Sequence, residues 1–318
     1  MRAVILGGTG AIGGALAARL AAAGWSVDVT GRDPESMPQE LAVAGVRFHR
    51  VERSEVPEIE RLVGGGADLL VDLVAYCGAD VRALLPVMGS VTSPVLISSR
   101  AVYVDAEARH LNSAEPPWFH EPIVEDTATL PPAGDDVDPL SREGYAPSKV
   151  AAEHVALDSG LPVTVIRPSK VHGRWARNPR TRLFVERMMR RDRTVTLADR
   201  GASIDHLTGA ANTAALIETV AYAPGQRVLN SADPDTPTAE QIVRAIGERL
   251  GWDGSLELVG SGSDPMVGDH PWRSAHPIML STSASERLGY SPQGGALELL
   301  MQEVDWVAEL ISGPIAGC

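Results

Sequence analysis

RAVILGGTGAIGGALAARLAAAG, residues 2–24, is the stretch on which the architecture turns. The branched apolar run at 3–6 reads as a buried strand, GGTGAIGG as a turn, and the alanine-rich ALAARLAAA as a helix that stops at Gly24. Glycines recur at 7, 10 and 13, directly after the strand and at the opening of the helix. In that pattern Gly7 permits a tight turn, Gly10 lets the backbone approach a pyrophosphate, and Gly13 lets helix and strand pack closely, with the helix N-terminus facing the phosphate charge. A glycine turn without a ligand is the alternative. The strand before and the helix after favour a dinucleotide site.

Past this unit the same rhythm repeats. WSVDVTGR, VRFHRV, DLLVDLVAY, SPVLISS and LPVTVIRP read as five further strands, with helical patterns at VPEIERLVGGG, DVRALLPVMG and APSKVAAEHVALDSG between them. Alternating strands and helices mean an α/β doubly wound parallel sheet of Rossmann type. Residues 105–141, rich in Pro, Asp and Glu, interrupt the rhythm as a long loop of the kind that is functional or disordered. Beyond residue 168 the patterns are mostly helical, with short strands such as RVLNSA. The expected division is a dinucleotide-binding domain over 1–167 with about 203–222, and a smaller substrate lobe over 168–202 and 223–318.

Composition narrows the function classes. With 318 residues, 22% charged and 44% hydrophobic, the chain can bury a substantial core and is not a disordered type. A net charge of −13 argues against a general nucleic-acid binder. Two cysteines cannot form a disulfide framework: Cys77 is expected to pack as a small apolar residue and Cys318 to end an exposed tail. No apolar run approaches a membrane span, and MRAVILGG enters a strand directly, so a cytoplasmic protein is expected. The eight histidines show no metal-ligand spacing, and no metal is expected.

The end of the second strand, VTGRDP, bears on which dinucleotide binds. The Arg32 guanidinium suits a 2′-phosphate by charge and bidentate geometry, whereas Asp33 can take a ribose hydroxyl pair. NADP(H) is favoured, with NAD(H) the alternative.

Of the 28 lysines and arginines only two are lysines, and one of them, Lys149, stands four residues after Tyr145 in REGYAPSKVAAEH. On a helix that spacing puts both on one face. A free phenol, with a pKa of about 10, shuttles protons poorly at neutral pH, and a cation beside it favours the phenolate. Tyr145 can then exchange a proton with a carbonyl or alcohol oxygen during hydride transfer. LISSRAVY supplies Ser98 and Ser99 as partner hydroxyls at the carboxyl end of the fifth strand.

GGTGAIG, ISSRAVY, YAPSK and VIRPSKVHG, in this order and spacing, resemble the extended short-chain dehydrogenase/reductase family, in its epimerase/dehydratase-like, reductase branch. PIVEDT and HPIMLSTSASERLGY are similar to its substrate-side strand and C-terminal segment. The resemblance implies Ser99 as the catalytic hydroxyl, Tyr145 as acid/base, and Lys149 as the residue that binds the nicotinamide ribose and lowers the phenol pKa. Cofactor contacts are expected at Gly7, Thr9, Gly10, Ala11, Ile12, Gly13, Arg32, Glu52, Leu73, Lys149 and Pro168. Dehydratases of the family follow the catalytic hydroxyl with Asp-Glu; Arg100-Ala101 stands there in this chain. The expected activity is NAD(P)-dependent hydride transfer at a carbonyl or alcohol carbon. The alternatives are a nucleotide-sugar epimerase that retains NAD, and a non-catalytic or RNA-binding member. Dimerisation through the helix carrying Tyr145 is a family expectation.

Residues 174–193 hold eight arginines against two acids. This local field points to a small anionic substrate, or else to a solvated face or subunit contact. PPWFHEP at 116–122 is expected to line the same cleft or to pack as an ordinary loop.

Overall fold

The computed structural model describes residues 1–260 and 266–313; Cys318 lies outside them. Its elements in order are β1 (Arg2–Leu6), α1 (Ala11–Ala22), β2 (Ser26–Gly31), α2 (Gln39–Val43), β3 (Arg47–Arg50), α3 (Val56–Val63), β4 (Leu69–Asp72), α4 (Gly78–Met88), β5 (Ser93–Ile97), α5 (Tyr145–Asp158) and β6 (Thr164–Pro168). There follow β7 (Lys170–His172), α6 (Arg182–Met189), β8 (Thr194–Leu197), β9 (Leu207–Gly209), α7 (Ala210–Tyr222), β10 (Arg227–Ser231), α8 (Ala239–Arg249), β11 (Ser255–Leu258), α9 (Ser283–Arg287) and α10 (Ala296–Ser312).

Seven strands form one sheet in the order β10-β6-β5-β4-β1-β2-β3, with every pairing parallel. The central strands β4, β5 and β6 are buried along their whole length, because helices cover both faces. Side chains of α1 and α7, including Leu16, Leu20, Leu216 and Ile217, pack on one face. On the other, Ile59, Leu84, Met88 and Ala156 from α3, α4 and α5 pack against Val4, Leu70 and Leu96. The strand order reverses between β1 and β4, which opens the crevice where ligands of such sheets bind.

One segment departs from the expected division. Arg227–Ser231, grouped by sequence with the substrate lobe, is the edge strand of the main sheet, paired with β6 from Arg227↔Thr164 to Ser231↔Pro168. The strand is short and carries Arg227 and Asn230, so its apolar pattern alone implied no sheet position. Phe184, Val195, Ile242, Trp272 and Leu300, from other C-terminal segments, pack together as a second core, while Tyr290 just past α9 joins the core of the main sheet.

The long loop after β5 is ordered by one carboxylate: Asp105 accepts from the backbone N–H groups of Glu107, Arg109 and Trp118 at 2.8–3.0 Å and from Arg109 Nε at 2.7 Å. Further along, Ile123 bridges in parallel to Leu280, joining the PIVEDT and HPIMLSTS segments.

Candidate active site

The site forms where β5 runs out. Ser98 donates its N–H to the Ile166 carbonyl at 2.7 Å, which holds the strand end to β6. Of the two adjacent hydroxyls, Ser98 Oγ is buried with no hydrogen-bond partner among the described residues. Ser99, half-buried, accepts from the Ala101 N–H at 3.2 Å, and its hydroxyl lies close enough to the Tyr145 phenol to act on its ionisation. The pleat turns successive side chains to opposite faces, so one of the pair has to face away from the phenol.

Tyr145 begins α5 and Lys149 follows one turn later, as the spacing predicts. Lys149 is buried, and its Nζ donates to the carbonyl oxygens of Ala75 at 2.6 Å and Ile97 at 2.9 Å. The ammonium lies 5.9 Å from the Tyr145 ring centroid and 5.2 Å from that of Tyr76. Burial pulls the Lys149 pKa down to about 8, against the opposing field of Asp72. The Tyr145 pKa is raised: burial pushes it up, the nearby Ser99 hydroxyl only partly offsets this, and neighbouring Tyr76 adds to the rise. This corrects the expectation of a phenol made more acidic by lysine. Two of the ammonium's three N–H groups are taken by carbonyls, and desolvation of a phenolate outweighs what remains. A phenol that keeps its proton is suited to giving it to a carbonyl oxygen.

Beside this trio a cleft of about 370 Å³ runs along the glycine turn. Of the residues expected to contact a cofactor, Gly7, Thr9, Arg32 and Glu52 line it, together with Arg53, Tyr76, Asp80, Leu140 and Arg177. Gly7 has φ +84°, and a Cβ on Gly13 would stand 2.6 Å from Gly8 Cα and 2.7 Å from the Gly7 carbonyl oxygen. A Cβ on Gly10 would meet nothing within 4 Å, so no protein contact demands glycine there. Gly10 is the N-cap of α1 and Ala11 its first residue, while Ile12 and Leu73 pack on the core beneath the turn. Pro168 is the buried last residue of β6 and is not among the residues lining the cleft. Asp33 Oδ1 accepts the Glu35 N–H at 3.0 Å, so that carboxylate caps its own turn, while Arg32 is exposed into the cleft.

Sequence reasoning missed Tyr76, Arg53 and Asp80. Arg53 reaches Asp72 at 2.9 Å and the Asp80 carbonyl, and Asp80 Oδ2 accepts the Tyr76 N–H at 2.7 Å. The available signal was their position: Tyr76 and Asp80 follow the carboxyl end of β4, the rim where ligands bind.

The basic field at 174–193 breaks up on folding. Arg174 pairs with Glu40, Arg182 with Glu186, and Arg187 and Arg190 with Asp192, all toward solvent. Trp118 stacks on His276 with centroids 5.0 Å apart and lines a separate groove that shares no residue with the cleft along the glycine turn. Next to Ser99 the charge is of another kind: buried Arg100 pairs with Asp205 at 2.5 Å, and Lys170 pairs with the same carboxylate. Among the described residues no three His, Cys, Asp or Glu side chains cluster as a metal site, and no helix is long and apolar enough to cross a membrane.

Comparison with known proteins agrees with this geometry. The model of the NAD dependent epimerase/dehydratase family matches residues 3–207. Among solved structures, dTDP-glucose 4,6-dehydratase from Bacillus anthracis str. Ames in complex with NAD superposes with TM-score 0.71 at 15% identity, covering 96% of each chain. UDP-glucuronic acid 4-epimerase from Bacillus cereus, in complex with UDP-glucuronic acid and NAD, gives 0.71 at 15% identity over 98% of this chain and 100% of that one. The UDP-glucose 4-epimerase of Thermus thermophilus, in complex with NAD, gives 0.69 at 20% identity over 96% and 99%. These likenesses establish the fold. No curated protein matches the sequence.

Proposed function

The chain belongs to the NAD-dependent epimerase/dehydratase family, and on that basis we propose that it is an oxidoreductase passing hydride between a nicotinamide dinucleotide and a carbonyl or alcohol carbon of a small anionic substrate. The observation that carries this reading is the grouping of Ser99 at the end of β5, Tyr145 at the start of α5 and Lys149 buried beside it on the Ile97 and Ala75 carbonyls, next to the glycine-lined cleft. In the reductive direction Ser99 would hold the substrate oxygen, Tyr145 would give it a proton, and the bound dinucleotide would supply the hydride. Lys149, tied to both β5 and the turn after β4, would fix the phenol and reach the nicotinamide ribose with its remaining N–H.

Anionic substrate chemistry is supported by Arg100 and Lys170, two cations that share the single carboxylate of Asp205 directly behind Ser99. Dehydration finds no support, because Arg100-Ala101 follows Ser99 and supplies no carboxyl acid or base. For the dinucleotide, the solved structures of similar fold that are complexes with NAD count toward NAD(H). Arg32, exposed in the cleft beside a carboxylate already used as a cap, supports a preference for NADP(H).

Turnover of Tyr145→Phe tests the assignment. It keeps the ring and removes the proton, and the rate should fall by about 10²–10⁴; a variant running at wild-type speed would remove the phenol from the mechanism. The rival reading is a nucleotide-sugar epimerase that returns the hydride to its substrate, supported by epimerases of similar fold. Net consumption of reduced cofactor during turnover favours the reductase; interconversion of sugars without net consumption favours the epimerase.

A further inference from the structure

The last glycine of GGTGAIGG, Gly14, lies outside the phosphate-cradling pattern, yet the structure leaves no room for a side chain there. A Cβ would stand 2.3 Å from Cε3 and 2.8 Å from Cζ3 of Trp175, whose ring packs on the first turn of α1. Trp175 itself has φ +63°. A bulky residue in that left-handed region is strained, and such strain persists where surrounding contacts over-determine it, often at ligand clamps. The contacts are present here: Arg174 lies 5.2 Å over the indole and is held by Glu40 at 2.7 Å.

Two residues further on, Arg177 lines the same cleft as Gly7 and Thr9. It is exposed and has no hydrogen-bond or ion-pair partner among the described residues, whereas its neighbours Arg174, Arg182, Arg187 and Arg190 are all paired. The other cations of the cleft are placed differently. Arg53 is held by Asp72, and Arg32 sits just past the end of β2, on the adenosine side. A dinucleotide brings two pyrophosphate charges to the glycine turn, where the α1 N-terminus offers only about half a unit of positive charge.

We propose that Arg177 is a clamp on the dinucleotide's pyrophosphate, presented from beyond β7 by the seating of Trp175 on Gly14. The proposal rests on the dinucleotide reading of the cleft. The planar guanidinium fork supplies paired charged donors that fit two phosphate oxygens. Because the clamp belongs to the segment leading into α6, binding the cofactor also ties that segment down over the turn.

Fluorescence titration of NADH and NADPH onto wild type, Arg177→Ala, Arg32→Ala and Trp175→Ala tests it. Arg177→Ala should weaken both dinucleotides about tenfold and equally, since both carry the pyrophosphate, whereas Arg32→Ala should change their ratio. Trp175→Ala, which removes the seat without a clash, should weaken both, and the Trp175→Ala/Arg177→Ala double variant should lose little more than Arg177→Ala alone. Unchanged affinities in Arg177→Ala, or a loss confined to NADPH, overturn the clamp; additive losses in the double variant overturn the seat. A wild-type protein that binds neither dinucleotide removes the cofactor reading itself, and shows it before any variant is measured.

Discussion

Lys149 Nζ stands 2.9 Å from the carbonyl oxygen of Ile97, two residues before Ser99. That bond fixes the second turn of α5 to the end of β5, where phenol and hydroxyl meet, so the lysine is as much a structural tie as a charge. Its second bond, to Ala75, extends the tie to the turn that carries Tyr76.

On the proposed mechanism the lysine should set the alkaline limit of activity. With its pKa pulled down to about 8 and the phenol's pushed up, Lys149 loses its proton first as pH rises. For carbonyl reduction, kcat/KM should hold through neutral pH and decline above about pH 8. A profile flat to pH 10 would contradict this. The stability sign is opposite. The folded-state pKa lies below the ordinary 10.5, so between about pH 8 and 10.5 the unfolded chain binds more protons. Stability from this group therefore rises across that window, and its cost is fully present below pH 8. Urea midpoints at pH 7 and 9 should show the gain in wild type and not in Lys149→Met.

Gly10 and Gly13 should separate binding from folding. Gly10→Ala meets open space, so its melting temperature should match wild type while dinucleotide affinity drops tenfold or more. Gly13→Ala drives a methyl into the backbone of Gly7 and Gly8 and should fail to fold or melt far lower. Equal affinity in Gly10→Ala would mean that no ligand approaches the turn closely.

Arg32 is the residue on which the proposed NADP(H) preference can be tested. Arg32→Ala should lower the NADPH-to-NADH ratio of kcat/KM by about tenfold or more, the worth of a charged hydrogen-bonded pair, with NADH little changed. A ratio unchanged by the substitution would leave Arg32 as a solvated charge.

Glu153 holds a buried ion pair behind the site. It accepts from Arg167 Nε at 3.0 Å and Nη2 at 2.6 Å, and that guanidinium lies 4.8 Å over the Tyr103 ring. Glu153→Ala strands a buried cation and should cost about 3–5 kcal/mol by chemical denaturation. A loss below about 1 kcal/mol would show that water replaces the carboxylate.

Much of this was legible in the chain because it depends on local spacing. Strand, glycine turn and helix at 2–24 follow from residue type and order, and the i, i+4 interval put Tyr145 and Lys149 on one face. Other features depend on residues far apart in sequence. Choosing Ser99 over Ser98 needs the direction of the pleat at the end of β5, and the membership of Arg227–Ser231 in the main sheet needs its pairing with β6. The arginines of 174–193 read as one field until folding supplied Glu40 and Asp192 as partners and left Arg177 in the cleft.

Residue order alone was enough for the parallel α/β architecture, the glycine turn and the placement of Tyr145 and Lys149 on one helix face, since periodicity and short-range spacing are properties of the chain. The protonation balance of the trio and the pairing of the basic side chains came only with folding. Burial and the distance between charges, which set both, do not exist until segments remote in the chain are packed together.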